Sequence, residues 1–190
     1  MSKEFWDNYH ETCEKWVNPD PFLEEFKEDL PAGKAIDLGS SDGANSIYLA
    51  QNGWSVVAVD FSSVAIDHLK EESKMKSLPI KTICSSFENL DLGKEKFNLI
   101  LIGYIHLEEQ PRIDFFQLVR SLLEENGAVV YLGCNWESNP KGYDRRFLSP
   151  TEFQSYFKDF ELIKSASRLD DFNFGKEYEC QAFMNILKKK

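Results

Sequence analysis

Little in this 190-residue chain suggests metal or redox chemistry. The four cysteines, Cys13, Cys84, Cys134 and Cys180, lie far apart, with no C-x-x-C pair. The three histidines, His10, His68 and His106, are equally dispersed. Zinc sites need ligands at short, fixed spacings. No metal is therefore expected, and the cysteines read as small buried hydrophobes of a reducing cytoplasm. Basic residues are also in deficit: 22 Lys and Arg against 32 Asp and Glu give a formal charge of −10. Proteins that wrap nucleic acid need a basic face, so nucleic acid is not an expected partner. No apolar run approaches the roughly 18 residues of a membrane span, so no membrane partner is expected either. The opening Met1-Ser2-Lys3-Glu4-Phe5-Trp6-Asp7 lacks the basic-then-apolar order of a secretory leader. Internal repeats and low-complexity segments are absent.

What is present is a globular composition, 42% hydrophobic and 14% aromatic. At about 150 residues per domain, the length predicts a single domain over 1–190. Its first thirty residues form a distinct acidic segment, with three Lys against nine Asp and Glu. Phe5, Tyr9, Cys13 and Trp16 or Val17 recur at helical spacing, which predicts a helix with one apolar face. Asn18-Pro19-Asp20-Pro21 ends it. Asp20 then caps a second helix with a stripe of Phe22, Leu23, Phe26 and Leu30.

From Lys34 strands and helices alternate. Strands are expected over 35–38, 54–60, 80–84, 97–103 and 128–132. Helices are expected over 44–51, 64–76 and 111–123. Such alternation implies parallel βαβ units with right-handed crossovers. The 97–103 run is apolar nearly throughout, as a strand covered on both faces must be. Ser149-Pro150-Thr151-Glu152 is a capping-box signature opening a helix through Phe157. Residues 160–167 and 178–187 then read as two strands with no room for a helix between them. They are expected to form an antiparallel pair at one end of the sheet.

The informative stretch is Asp37-Leu38-Gly39-Ser40-Ser41-Asp42-Gly43-Ala44-Asn45, a glycine turn between strand and helix. Asp60 ends the next strand, 21 residues beyond Gly39. The glycine turn lets a ligand approach the backbone closely, and an acid at the second strand's end accepts hydrogen bonds from ribose hydroxyls. These features alone say only that a nucleoside-type cofactor binds. Asp37 separates the alternatives. A carboxylate there repels a pyrophosphate at the helix N-terminus and attracts a cation. S-adenosylmethionine carries a sulfonium and an ammonium and no phosphate, so it is favoured over NAD. A capping or salt-bridging acid is the structural alternative for Asp37.

Lys34 to Asn45 resembles motif I of class I S-adenosylmethionine-dependent methyltransferases. Gly53-Trp54-Ser55-Val56-Val57-Ala58-Val59-Asp60-Phe61-Ser62 is similar to their second motif, and 97–102 with Tyr104-Ile105-His106-Leu107 to their fourth strand and following turn. Phe5 to Tyr9 and Lys15 to Leu23 resemble the cofactor-covering segment of the small tellurite-resistance and thiopurine-type methyltransferases. The resemblance implies a Rossmann-like, mostly parallel seven-stranded sheet with an antiparallel C-terminal hairpin and helices on both faces. It also implies a lid at 1–30, a cofactor-binding core at 31–135 and an acceptor region at 136–190. Implied cofactor contacts are Tyr9, Trp16, Asp37, Gly39, Ser40, Ser41, Gly43, Asp60, Phe61 and Gly103. The chain departs from the family at Ser41, where glycine is usual. It also has no acid near Ser85-Ser86-Phe87, which leaves these three as the adenine contacts.

Tyr104 and His106 are the candidates nearest the reacting methyl, His106 as general base; the alternative for His106 is packing against the next helix. His10 and His68 are expected at the surface. Trp136, Arg145 and Arg146 lie in a loop after the fifth strand, where acceptors bind in such sheets, and the arginine pair suits an acidic acceptor. The expected activity is methyl transfer to a small molecule by a cytoplasmic monomer or homodimer. Two other readings stay open: an NAD-linked oxidoreductase, from the degraded Gly39-x-Ser41-x-x-Ala44, and a non-catalytic relative working through a partner.

Overall fold

The computed structural model describes residues 2–26, 29–135, 146–170 and 180–190. Seven strands lie in one sheet in the order β3-β2-β1-β4-β5-β7-β6. They are β1 (Lys34–Leu38), β2 (Ser55–Asp60), β3 (Lys81–Cys84), β4 (Phe97–Gly103), β5 (Leu123–Cys134), β6 (Glu161–Asp170) and β7 (Cys180–Lys188). The sheet is mostly parallel. β1 runs parallel to β2 and β2 to β3, whereas β7 is antiparallel to both β5 and β6. The C-terminal pair therefore closes one end of the sheet, as the sequence predicts.

The chain divides into two compact units, Met1–Ile100 and Leu101–Lys190. The first holds α1 (Lys3–Thr12), the single turn α2 (Phe22–Glu25), α3 (Ala44–Gln51) and α4 (Ser63–Met75). Its core is made by the β-branched and aliphatic residues of β1 and β2 with Leu49, Ile66 and Leu69 of the helices. Gly43 stands at φ +88°, and a Cβ there would lie 2.2 Å from Leu69 Cδ1. Glycine at this position is thus demanded by close packing of the turn on α4.

The second unit holds α5 (Glu109–Leu122) and α6 (Pro150–Ser155). Ser149 Oγ accepts from Glu152 N–H while the Glu152 carboxylate accepts from Ser149 N–H, the reciprocal cap read from the sequence. Its core is aromatic. Tyr131 stacks on Phe153 at 4.3 Å, and Phe116 and Phe157 meet Phe153 edge-on or tilted. Among the described residues, no helix is long and apolar enough to cross a membrane.

Two expectations fail here. α1 stops at Thr12, and Phe5, Cys13, Trp16 and Val17 are exposed rather than docked. Helix α1 buries only His10. The chain leaves the helix because Trp16 N–H donates to Asp42 Oδ2 (3.3 Å) and Asp20 N–H to Asn45 Oδ1 (2.8 Å), partners outside the local sequence. The cysteines also depart from the uniform buried-thiol reading. Cys13 and Cys84 are free and exposed, while Cys134 is buried and disulfide-bonded. A disulfide is not favoured in a reducing compartment, so the cysteines no longer support a cytoplasmic location.

Candidate functional site

The β1–α3 turn is built by backbone geometry. Gly39 (φ +76°) and Gly43 (φ +88°) occupy the left-handed region, and so does Ser41 at φ +52°. The N–H groups of Gly39 and Ser40 both donate to Val59 O, and Gly43 N–H to Ser40 O. Ser41 N–H reaches Asp60 Oδ2 at 2.9 Å, and Ser62 N–H reaches Asp60 Oδ1 at 2.8 Å. The turn therefore curls around the Asp60 carboxylate, which also feels the Phe61 N–H. Burial pushes the Asp60 carboxyl above its ordinary value against the opposing pull of these N–H groups.

Asp37, the penultimate residue of β1, is fully buried, with Ser46 Oγ–H of α3 donating to its Oδ2 at 2.6 Å. Burial pushes its pKa to about 7, with a further upward push from Asp60. The structural alternative for Asp37 is observed, since it anchors α3 through Ser46, and its carboxyl lies close enough to Asp60 to feel that group's charge. Ser40 Oγ is buried and has no hydrogen-bond partner among the described residues. Buried hydroxyls are normally paired, so this one is poised for a ligand atom.

The adenine-side candidates sit at the end of β3. Ser85 N–H donates to Asp60 O and Ser85 Oγ to Ser86 O (2.9 Å), while Ser86 Oγ accepts from Asn89 Nδ2 (3.0 Å). Phe87 and Phe61 are half-buried. Tyr9 OH accepts from Trp16 Nε1 at 3.4 Å, so the two lid aromatics meet each other.

The largest departure concerns His10 and His68, expected at the surface. His10 is buried, with Nδ1 3.2 Å from the Asp42 carboxylate, and His68 is half-buried, with Nδ1 2.8 Å from Asp42 Oδ1. Asp42 lies inside the motif I turn and is itself buried. Burial opposes its ionisation, but the two imidazoles outweigh that and hold the carboxyl below its ordinary value. No hydrophobic periodicity signals such a pair, because its partners lie 32 and 26 residues from Asp42.

In the second unit, Gly103 ends β4 and Tyr104 follows at φ +54°, its N–H donating to Leu132 O. A bulky non-glycine residue in that region is strained, a feature concentrated at functional positions. The His106 ring packs 4.2 Å from Phe147. Arg146 is half-buried. Trp136 and Arg145 lie outside the described residues, as do residues 171–175 of the expected hairpin tip.

Comparison with known proteins agrees with this geometry. Residues 35–127 match the model of the methyltransferase domain family. The release factor glutamine methyltransferase of Streptococcus pneumoniae is 27% identical over 146 residues, covering 67% of this chain and 50% of that protein. This chain thus spans half the length of that relative. Among solved structures, TehB from Haemophilus influenzae superposes with a TM-score of 0.78 at 19% identity, covering 100% of this chain and 68% of TehB. The N-methyltransferase NodS from Bradyrhizobium japonicum, bound to S-adenosyl-L-homocysteine, gives 0.77 at 14% identity, covering 98% and 97%. Residues 35–127 are thus similar to the methyltransferase domain family, on a fold shared with solved S-adenosylmethionine-dependent methyltransferases. The likeness to TehB and NodS is one of fold, and the group that such folds hold is S-adenosylmethionine or its product. The turn fits that group: it offers an unpartnered buried hydroxyl at Ser40 beside the buried carboxylates Asp37 and Asp60.

Proposed function

We propose that this chain transfers a methyl group from S-adenosylmethionine to a small-molecule acceptor. The observation that carries the reading is the pair of buried carboxylates, Asp37 and Asp60, at adjacent strand ends beside the unpartnered Ser40 hydroxyl. Asp60 accepts from a ribose hydroxyl. Asp37 supplies negative charge to a cationic ligand. Gly39, Ser40, Ser41 and Gly43 shape the turn against the ligand's methionine part. Ser85, Ser86, Phe87 and Phe61 border the adenine, Gly103 lies at the β4 end, and Tyr9 and Trp16 cover the site with aromatic faces suited to a cation.

When bound, the cofactor would supply an electrophilic methyl carbon on a sulfonium sulfur. Positioning by the protein then provides most of the acceleration. Tyr104 orients the acceptor. His106 accepts the acceptor's proton where that acceptor is an amine or hydroxyl, while a thiolate needs no base. Trp136, Arg145 and Arg146 are the remaining acceptor contacts, the arginines favouring an acidic group. The release factor relative carries a protein substrate in its name. A small acceptor is preferred because the charge of −10 opposes RNA.

Calorimetric titration with S-adenosylhomocysteine is the direct test. Binding below millimolar concentration, followed by turnover on a panel of thiols, amines and hydroxyls, is the expected result. No binding by folded protein overturns the reading, and enhanced NADH fluorescence on mixing would favour the oxidoreductase instead. Binding with no turnover on any acceptor would favour the non-catalytic relative.

A further inference from the structure

Helix α1 is docked in an unusual way. Its one buried residue is a histidine, and its aromatic neighbour Phe5 is half exposed. Apolar burial therefore does little to hold it. Polar contacts along one face do so instead. Lys3 Nζ donates to Ser63 Oγ at 3.0 Å, Asp7 Oδ1 accepts from Ser62 Oγ–H at 2.6 Å, and His10 meets Asp42. Ser62 also donates its N–H to Asp60. α1 is thereby tied to Asp60 through Asp7 and Ser62, and to Asp42 through His10.

Asp42 is the centre of this arrangement. An ionised carboxylate only accepts hydrogen bonds, so both imidazoles present Nδ1–H to it. With Trp16 N–H it has three donors, from α1, from α4 and from the segment that follows α1. A buried carboxylate stripped of its partners is costly, so Asp42 enforces the presence of all three. Directional contacts fix geometry more sharply than apolar burial does, and the geometry fixed here is that of the turn from Ser40 to Gly43.

We infer that His10 and His68 are positioning residues, which clasp Asp42 between them and so hold α1 against the β1–α3 turn in the arrangement that retains the nucleoside ligand. The inference rests on the cofactor reading above and deepens it. Neither histidine touches the reacting atoms. Their effect is on how long the ligand stays bound.

The test compares wild type with His10→Ala, His10→Asn, His68→Ala and the double alanine variant. Affinity and dissociation rate for S-adenosylhomocysteine are measured by calorimetry and stopped-flow displacement, with amide exchange followed over residues 3–12. Asparagine offers an N–H close to the position of Nδ1, so it separates the hydrogen bond from the bulk of the ring. His10→Ala is expected to weaken binding tenfold or more, chiefly through faster dissociation, and to accelerate exchange in 3–12. His10→Asn is expected to recover most of both, and His68→Ala to show a smaller effect of the same kind. Affinity within twofold of wild type in His10→Ala, or an asparagine variant as defective as the alanine one, overturns the clasp. The half-exposed His68→Ala is the variant of record should His10→Ala fail to fold. Failure of wild type to bind S-adenosylhomocysteine sinks the cofactor reading alone, since exchange over 3–12 in the free variants still reports on the clasp. Unchanged exchange there overturns it.

Discussion

The two units bury different chemistry. Near the β1–α3 turn the first unit encloses His10, Asp37, Ser40, Asp42, Ser46, Asp60 and Ser62. The second unit packs Phe116, Tyr131, Phe153, Phe157 and Phe183 around a core in which the buried polar side chains, among the described residues, are Arg112, Ser149 and Asn185. Burial pushes the Tyr131 phenol far above its ordinary value, which keeps it neutral at every working pH. Buried carboxylates oppose folding unless they are partnered, whereas stacked aromatics favour it. The contrast teaches that the first unit holds its buried polar groups by directional partners, and the second holds its core by ring packing.

The sharpest way to break the comparison is to hollow the second core. Phe153 is fully buried, with Tyr131 stacked on it and Phe116 and Phe157 beside it. Phe153→Ala is expected to cost about 3–5 kcal/mol of stability, read from urea unfolding. Affinity of the remaining folded protein for S-adenosylhomocysteine is expected to stay within twofold. A parallel loss of affinity would mean that the two kinds of core are not separable.

A gentler test titrates the first unit. The Asp37 carboxyl is raised from 3.8 to about 7 in the folded protein. The fold therefore holds a proton that the unfolded chain has released. That stability is fully present below about pH 4, is lost as pH rises toward 7, and changes no further above it. Asp37→Asn removes the slope and raises stability at pH 8, because the amide oxygen still accepts from Ser46. A cationic ligand favours the ionised carboxylate. Affinity for S-adenosylmethionine is thus expected to rise between pH 6 and 8, by up to roughly tenfold per unit. The rise should be smaller for S-adenosylhomocysteine, which lacks the sulfonium. A flat profile in wild type would remove Asp37 from ligand recognition.

The same contrast decides what was legible in the sequence. β4 and α3 appear with the bounds expected, Phe97–Gly103 and Ala44–Gln51, because an unbroken apolar run and a glycine turn are local signals. The Ser149–Glu152 box was legible for the same reason, whereas the aromatic core that α6 joins was not read from the sequence. Docking of α1 was misread. Periodicity assumes that the apolar face is the buried one, and here the face of Lys3, Asp7 and His10 docks on side chains about 30 to 60 residues away in the chain. Of the turn, the sequence showed which residues cluster, Asp37 through Gly43 with Asp60, but not that Asp42 is claimed by two histidines. Polar pairing between distant residues carries no period, so it becomes visible only when the chain is folded.

The smallest effect separates conformation from chemistry at Ser41. Ser41 and Ser77 have nearly the same backbone, φ +52° and +54°, but Ser77 lies beyond the C-terminus of α4 and Ser41 inside the turn. A non-glycine residue in this region costs about 1 kcal/mol or more. Glycine at either position should therefore raise stability by about 0.5–1 kcal/mol, after its own entropic cost. The Ser41 N–H to Asp60 bond survives the change, since it is made by the backbone. Ser41→Gly is accordingly expected to match Ser77→Gly in urea unfolding and to bind S-adenosylhomocysteine at least as tightly as wild type. Weaker binding in Ser41→Gly alone would identify its hydroxyl as a ligand group. The serine would then be retained at that position for its chemistry, in spite of its backbone strain.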